Sequence, residues 1–482
     1  MRLGVLVRGH RRRLGLTQEE LAHKAAVSVR TIRDIESGRT CASRSQTIRL
    51  IADALSLHGT ARTEFQAEAV DPSAETADAA PARVTLTGSP PAIASSHNRR
   101  STTRPAQLPS TIPDFVGRDD ALAAVDAVFA QHTLHSPASM ICAVSGIPGV
   151  GKTALVVHWA HRVRHRFPDG QLYVNLRGHA PGQPLRPIEV LARFLHALSV
   201  PADEMPLEAD EAASMYRTLL AGKRILVVLD NARDADQVRP LIPGSTGCAA
   251  LVTSRDRLTG LVAKEGAHLI TLEVLDEGNA RVLLEWILGV DRVRAESEAA
   301  DELVQLCGAL PLALRGAAAN LTGNPHRAMA SYAAELRAGD RLTALEVHGD
   351  RQTAVRAAFE LSYANLSADT QRLFRRLALG PGAYISVDEA GALAGIGIQE
   401  AHALLLQLLG KHLVTEIRPG QYVLHDLFRL YAHERCVAED TAPDRRAAIG
   451  RLCDYYLCIV DPATRLLYSK RLVSWQNSTR AL

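Results

Sequence analysis

The sequence predicts a multidomain fold: an all-α helix-turn-helix unit, then an α/β unit with a parallel sheet, a helical subdomain and a winged-helix domain. Three observations predict it. Residues 1–70 read as short capped helices joined by brief turns, short apolar runs alternate with helical segments from Phe115, and the strand-like runs stop near Leu275. A chain of 482 residues suits three or four units rather than one core.

In the first unit, Thr17 and Glu20 form a capping box, which starts a helix that turns Leu21, Ala22 and Ala25 inward. Val27 marks a turn. Ser28 can cap the next helix, whose Ile32 and Ile35 face a core while Val29, Arg30, Thr31, Arg33 and Asp34 stay available to solvent, the layout of a recognition helix. A further helix repeats the inward spacing at Ile48, Ile51, Ala52 and Leu55. Residues 1–70 carry 12 Lys/Arg against 7 Asp/Glu, whereas the rest of the chain carries 43 against 45, so the positive field that phosphate would meet lies at this end.

Residues 71–112 lose aromatic side chains and gain Pro72, Pro81, Pro90, Pro91, Pro105 and Pro109, which reads as a disordered linker. As a flexible chain of roughly 40 residues it would span about 35 Å, so the first unit is expected to move independently of the rest of the chain.

Residues 113–274 hold five short apolar runs, MICAVSG, LYVNL, RILVVLD, AALVTS and HLITL, and this alternation predicts a parallel sheet covered by helices. After the first run stands Gly146-Ile147-Pro148-Gly149-Val150-Gly151-Lys152-Thr153, which matches GxxxxGK[ST] with a strand before it and a helix after it. In such a P-loop the backbone N–H groups at Gly146, Gly149 and Gly151 wrap phosphates at a helix N-terminus, Lys152 neutralises the β and γ charge, and the Thr153 hydroxyl ligates Mg²⁺. The third run delivers Asp230 to a strand end, where a Walker B carboxylate holds the metal directly or through water. Asn231 comes next. Many P-loop ATPases place a carboxylate there to polarise water, and an amide cannot accept that proton, so at most a slow ATPase is expected. Thr253-Ser254-Arg255 ends the fourth run and puts a guanidinium where it can sense a terminal phosphate. Catalytic candidates are therefore Asp230 and Arg255.

Amphipathic helical patterns fill 275–349. Residues 350–440 are helical and end in two strand-like runs flanking Pro419-Gly420, a winged-helix pattern, and 441–482 return to helical period. The chain then stops with no repeat array.

With 47% apolar and 22% charged residues and a net charge of +3, the composition is that of a globular protein. No uninterrupted apolar stretch is long enough to span a bilayer, and the basic N-terminus lacks the apolar core of a signal peptide, so no membrane partner is expected. Seven scattered cysteines, Cys41, Cys142, Cys248, Cys307, Cys436, Cys453 and Cys458, contain no CxxC pair, which fits packing roles in a reducing cytoplasm rather than a disulfide framework or zinc site.

Two resemblances emerge from these motifs. Over nearly 60 residues the N-terminus resembles the Xre, or lambda-repressor-like, helix-turn-helix family, with Gln18 after the capping Thr17, Ala22 in the first helix, and Ile32 and Glu36 in the second. The resemblance implies double-stranded DNA as partner, a phosphate contact from Gln18, base-edge contacts from Ser28, Val29, Arg30 and Asp34, and Arg39 and Arg44 near the DNA backbone. Residues 113–440 resemble NB-ARC modules, the signal-transduction (STAND) ATPases: Asp114-Phe115-Val116-Gly117-Arg118, the P-loop, LVVLDNA, LVTSRD, Cys307-Gly308-Ala309-Leu310-Pro311-Leu312 and Leu424-His425-Asp426 occur in the family's order. That resemblance implies ATP/ADP with Mg²⁺, Val116 and Arg118 bordering the adenine, Pro311 packing on the base, and His425 reaching the β-phosphate of ADP.

The expected function is a nucleotide-gated DNA-binding transcription regulator in which ADP/ATP exchange controls assembly and DNA occupancy. A homo-oligomer on activation is expected, with the sensor absent or supplied by another protein, since relatives of this family continue into helical repeats. The alternative is a STAND-type defence or scaffold protein that oligomerises on ATP without promoter control. A replication-initiator-like ATPase fits less well, because its DNA-binding winged helix would come after the ATPase, and Asn231 weakens a hydrolytic motor.

Overall fold

The computed structural model describes residues 7–11, 16–25, 27, 29–36, 51–52, 54–55, 104–135, 139–180, 182–347 and 355–478. Two compact units divide the chain, Met1–His97 and Asn98–Leu482.

In the first unit the helix Gln18–Lys24 begins where its capping box dictates, with Glu20 N donating to Thr17 Oγ1 at 3.1 Å and Thr17 N donating to Glu20 Oε2 at 2.7 Å. The helix Val29–Glu36 packs against it through Ile32 and Ile35, and Val7, Leu21, Ala22, Ala25, Ile51, Ala52 and Leu55 complete a small apolar core. One carboxylate fastens this core. Glu36, 6% exposed, accepts Arg11 Nε at 2.6 Å, Arg11 Nη2 at 3.0 Å and Gln18 Nε2 at 2.8 Å, with Arg8 Nε at 3.5 Å. Burial pushes the Glu36 carboxyl up, but the bonds from Arg11 and Gln18 and the charges of Arg11 and Arg8 outweigh it and hold it below its ordinary value.

The second unit is built on a five-stranded parallel sheet of β1 (Met140–Ser145), β2 (Gly170–Asn175), β3 (Ile225–Ala232), β4 (Ala249–Ser254) and β5 (His268–Thr271), in the order β2-β3-β4-β1-β5. β1 and β4 are buried along their whole length, as apolar runs covered on both faces must be. The chain leaves β1 and crosses to β2 on the far side of β3 and β4, so a crevice opens beyond the carboxyl ends of β1, β3 and β4. Six helices between Glu277 and Ala344 form the helical subdomain. The helices Val355–Tyr363, Ala368–Leu377, Val387–Ala394, Ile398–Gly410 and Asp426–Glu439 follow, interspersed with an antiparallel sheet of β6 (Ile385–Ser386), β7 (Thr415–Arg418) and β8 (Gln421–Val423), ordered β6-β8-β7. Gly420, at φ 76°, makes the β7 to β8 turn. Phe359, Phe374, Phe428 and Tyr431 interlock beneath this winged helix. The helix Ala442–Ser478 comes last. No single helix among the described residues is long and apolar enough to cross a membrane.

The end of the expected linker differs from its composition-based reading. Ala106 bridges Gln171 in parallel, Gln171 N donates to Pro105 O at 2.6 Å, Gln107 N donates to Gln171 O at 3.1 Å, and His161 Nε2 lies 2.8 Å from Pro109 O. β2 is an edge strand with free N–H and C=O groups, and an extended proline-containing segment still offers carbonyls to it, so residues 104–112 belong to the sheet unit. Residues 71–103 lie outside the described residues.

Candidate functional site

The turn after β1 carries Gly146, Gly149 and Gly151 at φ 149°, 81° and 100°, a left-handed path open to glycine. A Cβ on Gly146 would stand 2.4 Å from Leu272 O, and one on Gly149 2.7 Å from Leu312 Cβ. The second close approach joins subdomains, because Leu312 N donates to Gly149 O at 3.2 Å and pins the helix Pro311–Gly323 to the loop. The helix Lys152–Val163 starts directly after the loop. Lys152 Nζ donates to Gly146 O and Ile147 O, both at 2.9 Å. Burial, with Arg255 nearby and Asp230 opposing, pulls its ammonium down to about 7.

Thr153 Oγ1 donates to Asp230 Oδ1 at 2.6 Å. The same carboxylate accepts Thr253 Oγ1 at 2.6 Å, Tyr173 OH at 3.1 Å and Asn175 Nδ2 at 3.4 Å. Sequence reasoning missed these three supports. The signal was alternation, since Tyr173 and Asn175 are two apart on β2 and share a face, while Thr253 precedes Ser254-Arg255 on β4. Asn231 sits at φ 57°, a conformation asparagine tolerates, where β3 shifts register between Leu229 and Ala232. Its N donates to Thr253 Oγ1 at 2.8 Å.

Gly149, Gly151, Lys152, Thr153, Asp230, Asn231 and Thr253 line a cleft of about 400 Å³ together with Pro148, Asn175, Arg255, Pro311 and Arg315. A smaller hollow of about 40 Å³ adjoins it, lined by Asp114, Phe115, Val116, Arg118, Leu275, Leu283, Pro311 and Arg315. Arg118 is tied to backbone there, donating to Glu273 O and Val150 O, each at 2.8 Å. The fold thus brings Val116, Arg118, Gly149, Gly151, Lys152, Thr153, Asp230, Arg255 and Pro311 around two adjoining spaces, with Gly146 at the loop's root.

Two candidates bond between the winged helix and another subdomain. Arg255 Nη1 donates to Ala358 O at 2.6 Å and Ser362 Oγ at 2.9 Å, both on the helix Val355–Tyr363, and burial pulls its guanidinium down to about 10. The neighbouring Asp256 pairs with Lys411 at 2.5 Å, and Arg257 N donates to Gly410 O at 3.0 Å. His425 lines neither space. Its Nδ1 accepts Leu427 N at 3.3 Å, so Nε2 carries the proton and donates to Gly308 O at 2.9 Å, and burial pushes the imidazole below its ordinary value. Gly308, at φ 58°, allows this, since a Cβ there would meet His425 Cε1 at 2.5 Å.

In the first unit Gln18 is bonded to Glu36 and Val29 packs partly against the core, while Arg33 is exposed and Thr31 half-buried on the same helix. Arg30 and Asp34 occupy positions in the helix Val29–Glu36. Ser28, Arg39 and Arg44 lie outside the described residues.

A glycine-rich loop entering a helix, a strand-end aspartate and a parallel sheet define a P-loop nucleotide-binding fold. The NB-ARC domain model matches residues 123–292, and a helix-turn-helix domain model matches residues 2–65. The chain is a helix-turn-helix protein with an NB-ARC module of the P-loop NTPase type. It is similar to the regulatory protein AfsR of Streptomyces coelicolor, 44% identical over 371 residues that cover 76% of this chain and 37% of that protein. The AfsR of Streptomyces griseus is 44% identical over 355 residues, covering 73% of this chain and 36% of that one. The chain thus spans little more than a third of these relatives. Solved structures similar to it include a STAND protein with a tetratricopeptide repeat sensor from Pyrococcus horikoshii, with 16% identity, TM-score 0.33 and coverage of 76% of this chain and 52% of that one. The ORC2 protein of Aeropyrum pernix in ADPNP-ADP complexes shows 17% identity, TM-score 0.41 and coverage of 72% and 96%.

Proposed function

We propose that this chain is a DNA-binding transcription regulator gated by an adenine nucleotide in its NB-ARC module. One observation carries the gating: Arg255 lines the cleft and at the same time donates to Ala358 O and Ser362 Oγ of the winged helix. A terminal phosphate in the cleft would compete for that guanidinium, whereas ADP has no group to offer it. The winged helix would then be held with ADP and released with ATP, because a ligand shifts an equilibrium by its differential contacts with the two states.

The residues fit such a ligand. Lys152 exchanges two neutral carbonyls for phosphate oxygens, and a hydroxyl with a carboxylate, Thr153 and Asp230, is the donor set that a hard cation such as Mg²⁺ takes. Mg²⁺ would offset phosphate charge there. Val116 and Arg118 would border the adenine and Pro311 would pack on it. His425, leaving Gly308 O, would meet the β-phosphate and hold the winged helix on ADP. Asn231 leaves the site without a water-polarising carboxylate, so the nucleotide acts as a switch with slow turnover at most. The first unit would read DNA with the helix Val29–Glu36, and opening would change self-association and thereby DNA occupancy.

Genomic DNA capture by the full chain, loaded with ADP or with a non-hydrolysable ATP analogue, tests this. Discrete sites whose occupancy depends on the nucleotide are expected. Discrete sites indifferent to nucleotide would remove the gating, and absence of enriched sites would favour the scaffold alternative.

A further inference from the structure

The phosphate cleft and the smaller hollow share five lining residues: Ile112, Gly151, Ala154, Pro311 and Arg315. Base, sugar and phosphates are joined in a fixed order. A nucleotide with phosphates on the P-loop and base beside Val116 must therefore lay its sugar along this shared set. Only Arg315 among the five has a charged side chain, and it pairs with Asp114 Oδ1 from the segment that enters the unit. Asp114 lines the hollow with its side chain 11% exposed, and Arg315 is 35% exposed. Among the described residues neither side chain has another hydrogen-bond or ion-pair partner, so Asp114 Oδ2 and most of the five guanidinium N–H groups remain for a ligand.

Both ends of the pair are fixed. Arg315 stands four residues after Pro311 and so shares its helix face, and the adjacent Leu312 is bonded to Gly149 O. Asp114 precedes Phe115, whose ring stacks on His158 of the helix Lys152–Val163 with centroids 4.2 Å apart. A carboxylate preorganised in this way costs little to use on binding.

We propose that the Asp114–Arg315 pair reads the sugar: Arg315 holds the carboxylate and donates toward the sugar-phosphate junction, while Asp114 Oδ2 accepts from a ribose hydroxyl. The site then binds an intact ribose more tightly than a sugar that lacks the contacted hydroxyl. This inference rests on the nucleotide reading above. Hydrogen bonds to charged groups are the stronger ones, and a site built to bond a hydroxyl rejects the analogue lacking it.

Titration calorimetry of the full chain with ADP, 2′-deoxy-ADP and 3′-deoxy-ADP, with Mg²⁺ present, tests it. One of the two deoxy analogues is expected to bind about tenfold more weakly than ADP or worse. Asp114→Ala should bring the three ligands within about twofold of one another by weakening ADP and the analogue that keeps the contacted hydroxyl, leaving the other analogue unchanged, and Arg315→Met should shrink the ratio by releasing the carboxylate. Asp114→Leu, which fills the same space without an acceptor, replaces the alanine variant if thermal melting shows that it does not fold. Equal binding of all three ligands by the native chain, or a preference that survives both Asp114 variants, overturns the proposal while leaving the nucleotide site intact. No binding of ADP at all would instead remove the nucleotide reading, and this inference with it.

Discussion

Two buried carboxylates, Glu36 in the first unit and Asp230 in the second, are both ringed by donors, but the donors differ in kind. Glu36 is met by the guanidinium groups of Arg11 and Arg8 and by the Gln18 amide. Asp230 is met by Thr153, Thr253, Tyr173 and Asn175, all neutral. A carboxylate already neutralised by cations is committed to the fold, because removing it strands buried charge. One held in place by dipoles keeps its charge for a cation that arrives with a ligand. In the proposed function the first is a structural carboxylate and the second a working one, although both are 6% exposed or less.

The sharpest way to break this distinction is to remove each group in turn. Glu36→Ala should cost the first unit about 3 to 5 kcal/mol, the usual penalty for stranding a buried partner, enough to unfold a small domain. Asp230→Asn should leave the thermal midpoint of the second unit almost unchanged but abolish the effect of Mg²⁺ on nucleotide affinity. Circular dichroism melts with calorimetry check both, and equal destabilisation would erase the contrast. The acid response has a definite sign. Because Glu36 is held below its ordinary value, its contribution is complete above the unfolded carboxylate range and is lost as pH falls through the folded value. The first unit should therefore weaken in acid, and Glu36→Gln should flatten that dependence.

Within the second unit, Lys152→Ala should weaken ADP and ATP together by about 2 kcal/mol or more, roughly thirtyfold, since in the proposed function Lys152 is the cation that faces the phosphates. Undiminished calorimetric affinity would take Lys152 out of the site. His425→Ala is expected to be more selective. Losing the proposed bond to a charged phosphate, about 1.5 to 3 kcal/mol, should weaken ADP about tenfold or more and leave ATP near its native value. Equal weakening of both nucleotides would make His425 a structural group that only ties the start of helix Asp426–Glu439 to Gly308.

The elements that sequence made legible are the local ones. All five strand cores of the parallel sheet, the capping box at Thr17 and the turn at Pro419-Gly420 depend on neighbours a few residues away, and pattern alone exposes them. The P-loop reads easily for the same reason. What pattern could not reach are the long-range contacts on which the proposed switch rests. Arg255 and Ser362 are 107 residues apart, His425 and Gly308 117 apart, and Asp114 and Arg315 201 apart. Nothing in the spacing of such residues announces their partners. Composition also misread residues 104–112, where prolines that suggest a free linker run along the open edge of β2.

In the proposed switch Arg255 is shared between the nucleotide and the winged helix. Amide hydrogen exchange across residues 355–363 of the full chain measures that directly, with ADP or with a non-hydrolysable ATP analogue bound. Slow exchange is expected with ADP and faster exchange with the ATP analogue, and fast exchange with either nucleotide in Arg255→Ala. Equal protection with both nucleotides in the native chain, unchanged by the substitution, would contradict it.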